Sequence, residues 1–130
     1  MVSKKVKYGT DLNDLININP IYFDFNKSVI RPDAAKELDK IVKILNDNPN
    51  LSVKLNSHTD CRGNDNYNTN LSRRRANSSK EYITERISTP YRVSAEGMGE
   101  SKPIENCDCN ECSEEEHQKN RRTEFIIIKM

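Results

Sequence analysis

A change of period most constrains how this chain can fold. In "RPDAAKELDKIVKILNDNPNLSVKLN" (Arg31 to Asn56) apolar residues first recur at helical spacing, at Ala34, Leu38, Ile41, Val42 and Leu45. They then fall on alternate positions, at Leu51, Val53 and Leu55. The first pattern is one buried stripe on a helix, and the second is a strand with one face on a core. Asn48-Pro49 stops the helix between them. Pro32 suits the first helical turn, and Asp33 and Glu37 suit its positive end. A helix and a strand joined this closely bury their apolar faces against each other, so the chain must build a helix layer on a sheet.

The other elements extend this pattern. "DLNDLININP" is a lead-in with Leu12, Leu15 and Ile18 available for packing. "PIYFDF" (Pro20 to Phe25) is expected to be a strand, followed by a turn over Asn26 to Ser28. "NLSRRRANSSKEYITERI" is expected to be a second helix, capped by Asn70 or Ser72, with Ala76, Ser79, Ile83 and Ile87 on one face. The small residues at its start let it approach the sheet closely. "YRVSAEG" is a third strand, with Gly97 and Gly99 loosening its exit, and "TEFIIIKM" is a fourth. Between these two strands, "ESKPIENCDCNECSEEEHQKN" exceeds the usual length of a connection, with a helical turn expected at "SEEEHQ". Helices joining strands act as crossovers, which implies a mixed sheet. The expected fold is α+β, β-α-β-α-β-β, with a mixed four-stranded sheet and helices packed on it. At 130 residues the chain is one domain, read as a lead-in over 1–19 and a domain over 20–130.

The formal net charge of +1 argues against a general binder of nucleic acid or of acidic membranes. No apolar run reaches membrane-spanning length, and "VSKKVKYG" lacks the apolar centre of a secretory signal. If the protein is exported, the chain is expected to be a mature fragment or a domain cut from a longer precursor.

The chemistry concentrates in "SHTDCRGNDNYNTNLSRRRA" (Ser57 to Ala76). Ser57, His58 and Asp60 invite a hydrolytic reading, but such sites are defined by spatial roles and no Gly-x-Ser-x-Gly elbow is present. The expectation is that the protein is not an enzyme. Cys107, Cys109 and Cys112, with Cys61, His58 or His117, offer soft metal ligands. A second pair matching Cys109 and Cys112 is missing, so disulfides are preferred and no metal or other cofactor is expected. Three pairings stay open: Cys61–Cys109 with Cys107–Cys112, Cys61–Cys107 with Cys109–Cys112, and Cys61–Cys112 with the strained Cys107–Cys109. Each would pin the polar stretch to the late loop.

Among the arginines, Arg73 and Arg74 point away from the buried helix face, while Arg75 lies at its edge and can reach back over the loop holding Asp60. Asp60 and Arg75 are complementary poles for an amino acid, which carries an ammonium and a carboxylate close together. A mutual salt bridge between them fits the composition and spacing equally well.

The motifs "YFDFNKSVIRPDA", "SHTDCRGNDNYNTNLSRRRANSSKEYI", "GMGESKP" and "NRRTEF", in this order, resemble the OmpA-like C-terminal peptidoglycan-binding domain. This domain is shared by OmpA proteins, peptidoglycan-associated lipoproteins and flagellar stator proteins, and the "CSEEEHQKNRRTEF" form is most similar to Bacteroidetes-type members. The resemblance spans Pro20 to Lys129. It implies non-covalent binding of peptidoglycan through the meso-diaminopimelate of its peptide stem, anchoring the outer membrane or a parent protein to the wall from the periplasm. Membrane contact would come only through an anchor or barrel elsewhere in the parent protein. The resemblance implies that Asp60 holds the ammonium and that Arg75 forks onto the carboxylate. It makes Asn26, Thr59 and Asn68 further polar contacts and Arg122 a brace, with Arg121 at the surface. The cysteine-rich insertion departs from the family pattern. A disulfide- or zinc-stabilised protein–protein interaction module using the same cleft is the alternative.

Overall fold

The computed structural model describes Gly9, Asp11, Ile21, Phe23 and residues 27–129. Helix α1 spans Pro32–Asp47 and strand β1 spans Ser52–His58, as the change of period requires. Pro32 opens α1 with Asp33 in the first turn. At its far end Ile44 O accepts from both the backbone N of Asn48, at 3.0 Å, and its side-chain Nδ2, at 2.8 Å. The buried face carries Ala34, Leu38, Ile41, Ile44 and Leu45, while Val42 is half-buried at its edge.

Helix α2 spans Asp65–Thr84 and so begins five residues before the expected start at Asn70. Its cap is Asn64, whose side-chain oxygen accepts from Tyr67 N at 3.1 Å. The earlier start places Asn68 in the helix. Strand β2 follows a short 3₁₀ turn at Pro90–Arg92 and spans Val93–Gly99. Helix α3 spans Glu114–Asn120, where a helical turn was expected, and a reciprocal Ser113–Glu116 capping box starts it. Strand β3 spans Thr123–Lys129.

The sheet order is β2-β1-β3, with β1 parallel to β2 and antiparallel to β3. The sheet is therefore mixed, as expected, and among the described residues it has three strands instead of four. The expected strand at Pro20 to Phe25 lies mostly outside the described residues; of it, Ile21 and Phe23 are described and belong to no strand. Val53, Leu55, Phe125 and Ile127 turn one face of the sheet onto Leu38, Ile41 and Leu45 of α1 and Ala76 and Ile83 of α2. Each large apolar side chain buried here contributes about 1.5–3 kcal/mol.

Close approach of α2 to β2 depends on glycine. A Cβ on Gly97 would lie 2.5 Å from Arg73 Cα and 2.8 Å from Ser72 C. Gly99, at φ +56°, would press a Cβ on Thr69. Ser72 is fully buried, and its hydroxyl accepts from Gly99 N at 2.9 Å. These two glycines therefore dock the helix onto the strand; they do not merely loosen the strand's exit.

Candidate functional site

The site begins where β1 leaves the sheet. His58 N donates to Arg122 O, and Thr59 N donates to Gly99 O, both at 2.8 Å. The chain thus passes between the end of β2 and the start of β3. Thr59 is half-buried and its hydroxyl donates to Asp60 O at 2.9 Å. Asp60 follows at 7% exposure.

Asp60 is held by two arginines. Its Oδ1 accepts from Arg62 N at 2.9 Å, a local turn of the kind aspartate favours. Its Oδ2 accepts from Arg62 Nη2 at 2.8 Å and from Arg121 Nη1 at 2.7 Å. Glu114, in the first turn of α3, accepts from both guanidinium groups in turn, at 3.2 Å from Arg62 Nη1 and 3.0 Å from Arg121 Nη2. The four side chains form a ring that joins the loop after β1 to the cysteine insertion. Burial alone would raise the Asp60 carboxyl pKa; the hydrogen bonds from Arg62 and Arg121 outweigh it and hold the group below its ordinary value. Asp60 is therefore an ionised, buried carboxylate.

Arg75 lies on α2 and is half-buried. Its Nε donates to Lys27 O at 2.9 Å, and its guanidinium stacks 5.0 Å from the centre of the Phe23 ring. Burial lowers its pKa, and the charges of Arg74 and Arg121 lower it further. The direct Asp60–Arg75 salt bridge considered from the sequence does not form, because Arg62 and Arg121 occupy Asp60. Arg73 and Arg74 are exposed, as their helical positions require.

Asn68 is buried, and its Nδ2 donates to Arg62 O at 2.8 Å, closing the loop from the helix side. Gly63, between Arg62 and the Asn64 cap, adopts φ +91°, a conformation suited to glycine. Arg122 points elsewhere. It donates to Glu124 Oε2 at 3.3 Å and to Lys102 O at 2.8 Å, and Glu124 Oε1 lies 2.8 Å from His58 Nε2. Arg122 thus braces the His58–Glu124 pair and has no contact with Asp60. A cleft of about 290 Å³ opens on that side, lined by Asp11, Ile104, Lys119, Arg122, Thr123 and Glu124. Burial lowers the His58 pKa, against the opposing effect of its hydrogen bond to the Glu124 carboxylate. With His58 on Glu124 and Asp60 on arginines, the two do not form a His–Asp couple. Asn26 lies outside the described residues.

The cysteines pair as Cys61–Cys109 and Cys107–Cys112, with Cα separations of 5.9 and 5.6 Å. This is one of the three pairings the sequence left open. Cys61 ties the residue next to Asp60 to the insertion. His117 is buried beside this cluster, and donor atoms of Cys61, Cys112 and His117 lie within 4.8 Å of one another.

The sequence reading missed Arg62, Arg121 and Glu114. Strand parity carried a signal for Arg121: Thr123, Phe125 and Ile127 are buried, and Arg121 continues their odd-numbered series, whereas Arg122 shares the other side with Glu124. Glu114 was not accessible to such reasoning, since α3 is brought to the loop by tertiary contacts, the Cys61–Cys109 disulfide and the Arg62–Glu114 pair among them.

Residues 22–121 match the OmpA family, and the chain belongs to that family. It is 34% identical over 107 residues to outer membrane porin F of Pseudomonas fluorescens, covering 82% of this chain and 32% of the porin. It is 32% identical over 119 residues to the peptidoglycan-associated lipoprotein of Buchnera aphidicola subsp. Baizongia pistaciae, covering 92% of this chain and 66% of the lipoprotein. The chain thus spans about a third of the first relative and just under two thirds of the second. The crystal structure of the peptidoglycan-associated lipoprotein from Burkholderia pseudomallei superposes with a TM-score of 0.70 at 22% identity, covering 82% of this chain and 87% of that one, which establishes the shared fold. The domain is of a non-enzymatic class. Among the described residues no helix is long and apolar enough to cross a membrane.

Proposed function

We propose that this domain binds peptidoglycan non-covalently through the meso-diaminopimelate of the peptide stem, and so anchors the outer membrane or a parent protein to the cell wall. In this reading Asp60 takes the ammonium and Arg75 the carboxylate. Thr59, Asn68 and Asn26 are polar contacts, and Arg122 stiffens the strand behind the loop. The domain works in the periplasm. A relative named for its association with peptidoglycan supports the ligand class.

One observation carries the residue assignment. Asp60 is buried and ionised, yet its two arginine partners reach it from partly exposed positions. A ligand ammonium can displace one of them without leaving the carboxylate uncompensated. Asp60 and Arg75 are also not paired with each other.

The test is co-sedimentation with purified sacculi. Asp60→Ala and Arg75→Ala should each weaken binding by about 2–5 kcal/mol. Free diaminopimelate should compete with sacculi, whereas lysine, which lacks the second carboxylate, should compete poorly. Undiminished binding by both variants rejects the site. Equal competition by lysine rejects the diaminopimelate assignment while leaving peptidoglycan binding in place.

A further inference from the structure

We propose that the cysteine insertion is also a latent zinc site: when the disulfides are reduced, Cys61, Cys109, Cys112 and His117 bind one Zn²⁺ as a tetrahedral Cys₃His centre. This inference is independent of the peptidoglycan reading.

The first observation is the buried histidine. His117 is 4% exposed, and its Nδ1 has no hydrogen-bond partner among the described residues. A buried imidazole nitrogen without a partner is costly, and a metal bond satisfies it. The second observation is placement. Donor atoms of Cys61, Cys112 and His117 already lie within 4.8 Å of one another, and the Cys109 sulfur is bonded to that of Cys61. Ligands of a tetrahedral zinc stand about 3.5–3.8 Å apart, given metal–sulfur bonds of about 2.3 Å and metal–nitrogen bonds of about 2.0 Å. Closing the cluster onto an ion draws these three donors in and swings the Cys109 sulfur, which lies outside that group, away from Cys61 toward Cys112 and His117.

Spacing agrees with geometry. Cys109 and Cys112 are separated by two residues, and His117 follows Cys112 after four more, within the range of structural zinc ligands. A competing set of Cys107, Cys112 and Glu116 is also close together. It is the weaker candidate because Glu116 Oε1 already accepts from Ser113 N at 2.8 Å in the cap of α3. Cys107 is bonded to Cys112 as Cys109 is to Cys61, and the two-residue spacing from Cys112 makes Cys109 the fourth ligand, leaving Cys107 outside the centre.

The chemistry balances with a phosphine as reductant. Each disulfide, one phosphine and one water give two thiols and one phosphine oxide. Each thiol that becomes a ligand then releases its proton to solvent, so binding tightens as pH rises. Zinc would hold Cys61 to the insertion as the disulfide does, keeping the loop of Asp60 in place in the reduced protein.

The test titrates the phosphine-reduced domain anaerobically with Co²⁺ and then with Zn²⁺. The expected result is one ion per chain, with tetrahedral cobalt absorption and thiolate charge-transfer bands that Zn²⁺ bleaches. Iodoacetamide should then modify Cys107 and spare Cys61, Cys109 and Cys112. His117→Ala should weaken binding at least tenfold, a change that even second-sphere partners of a metal produce. His117→Cys should restore it with stronger charge transfer, which covers the case in which the alanine variant folds poorly. Cys107→Ser should bind as the unsubstituted protein does. Absence of tetrahedral cobalt bands, an unchanged affinity in His117→Ala, or lost binding in Cys107→Ser would overturn the site.

Discussion

Arg121 Nη1 lies 2.7 Å from Asp60 Oδ2, joining two residues 61 positions apart. Arg62 reaches the same oxygen from two residues away. Because these hydrogen bonds outweigh burial, the folded Asp60 carboxyl has a lower pKa than the unfolded one. As pH falls, the unfolded chain takes up this proton first. The stabilisation is therefore fully present above the unfolded value of ~3.9 and is lost as pH drops through the lower folded value. Asp60→Asn should flatten the acid limb of a Tm-against-pH curve taken from about pH 6 to about pH 2. Arg121→Ala should cost about 1–3 kcal/mol at neutral pH, toward the lower end because the arginine is a third exposed. That difference should shrink in acid. Parallel acid limbs for the variants and the parent would mean that other carboxylates dominate.

The two disulfides should differ in worth. Cys61–Cys109 spans 48 residues and Cys107–Cys112 spans 5. In the chain-entropy account the first removes about 4 kcal/mol of loop freedom from the unfolded state and the second about 2 kcal/mol. Denaturant unfolding of the paired serine variants should therefore show a larger loss for Cys61→Ser/Cys109→Ser. The Cys61 pair should also loosen the Asp60 loop, seen as faster amide exchange at Arg62. Equal losses would point to effects on the native state.

Much of this architecture is visible in the residue pattern, and the exceptions have physical causes. The helix–strand switch at Asn48-Pro49 places α1 and β1 because one buried face is enough to fix each. Asp60 and Arg75 stand out by charge and spacing. The start of α2 is obscured because "NDNYN" reads as loop by composition, while Asn64 acts as a cap and Asn68 is buried by a tertiary contact to Arg62 O. Arg121 reads as a surface residue because strand parity marks only its side of the sheet, while its partner is 61 residues distant. The cysteine pairing is a choice among topologies that only the fold can make.

Gly97→Ala should destabilise the domain through backbone overlap. The added methyl meets Arg73 Cα and Ser72 C, which cannot rotate away as a side chain can. Overpacking of this kind costs about 1–3 kcal/mol, and here α2 itself must shift off β2. The Gly99 N to Ser72 Oγ hydrogen bond should weaken with it. Urea unfolding gives the stability change, and amide exchange at Gly99 reports the local one. An unchanged midpoint would show that α2 yields more easily than this packing implies.

Arg92 is the other buried charge whose removal should be severe, and its role is purely structural. It is 4% exposed, and its Nη1 donates to Leu45 O at 3.0 Å, Asn48 O at 3.2 Å and Leu51 O at 3.0 Å. Its Nε donates to the Thr89 hydroxyl. One guanidinium thus closes the carbonyl end of α1 and the turn into β1, the junction at which the sequence changes period. Arg92→Met keeps most of the aliphatic stem and takes the guanidinium from the Leu45 and Leu51 carbonyls, while Asn48 O keeps its bond from Leu51 N at 3.0 Å. At about 1–3 kcal/mol for each of these two acceptors, the loss should be about 2–6 kcal/mol. Arg92→Lys should recover part of it, since an ammonium can donate to these carbonyls but lacks the fork that also reaches Thr89. Denaturant unfolding of both variants checks the order, and hydrogen exchange in the last turn of α1 checks the location. A loss below about 1 kcal/mol in Arg92→Met would mean that water reaches the Leu45 and Leu51 carbonyls once the guanidinium is gone.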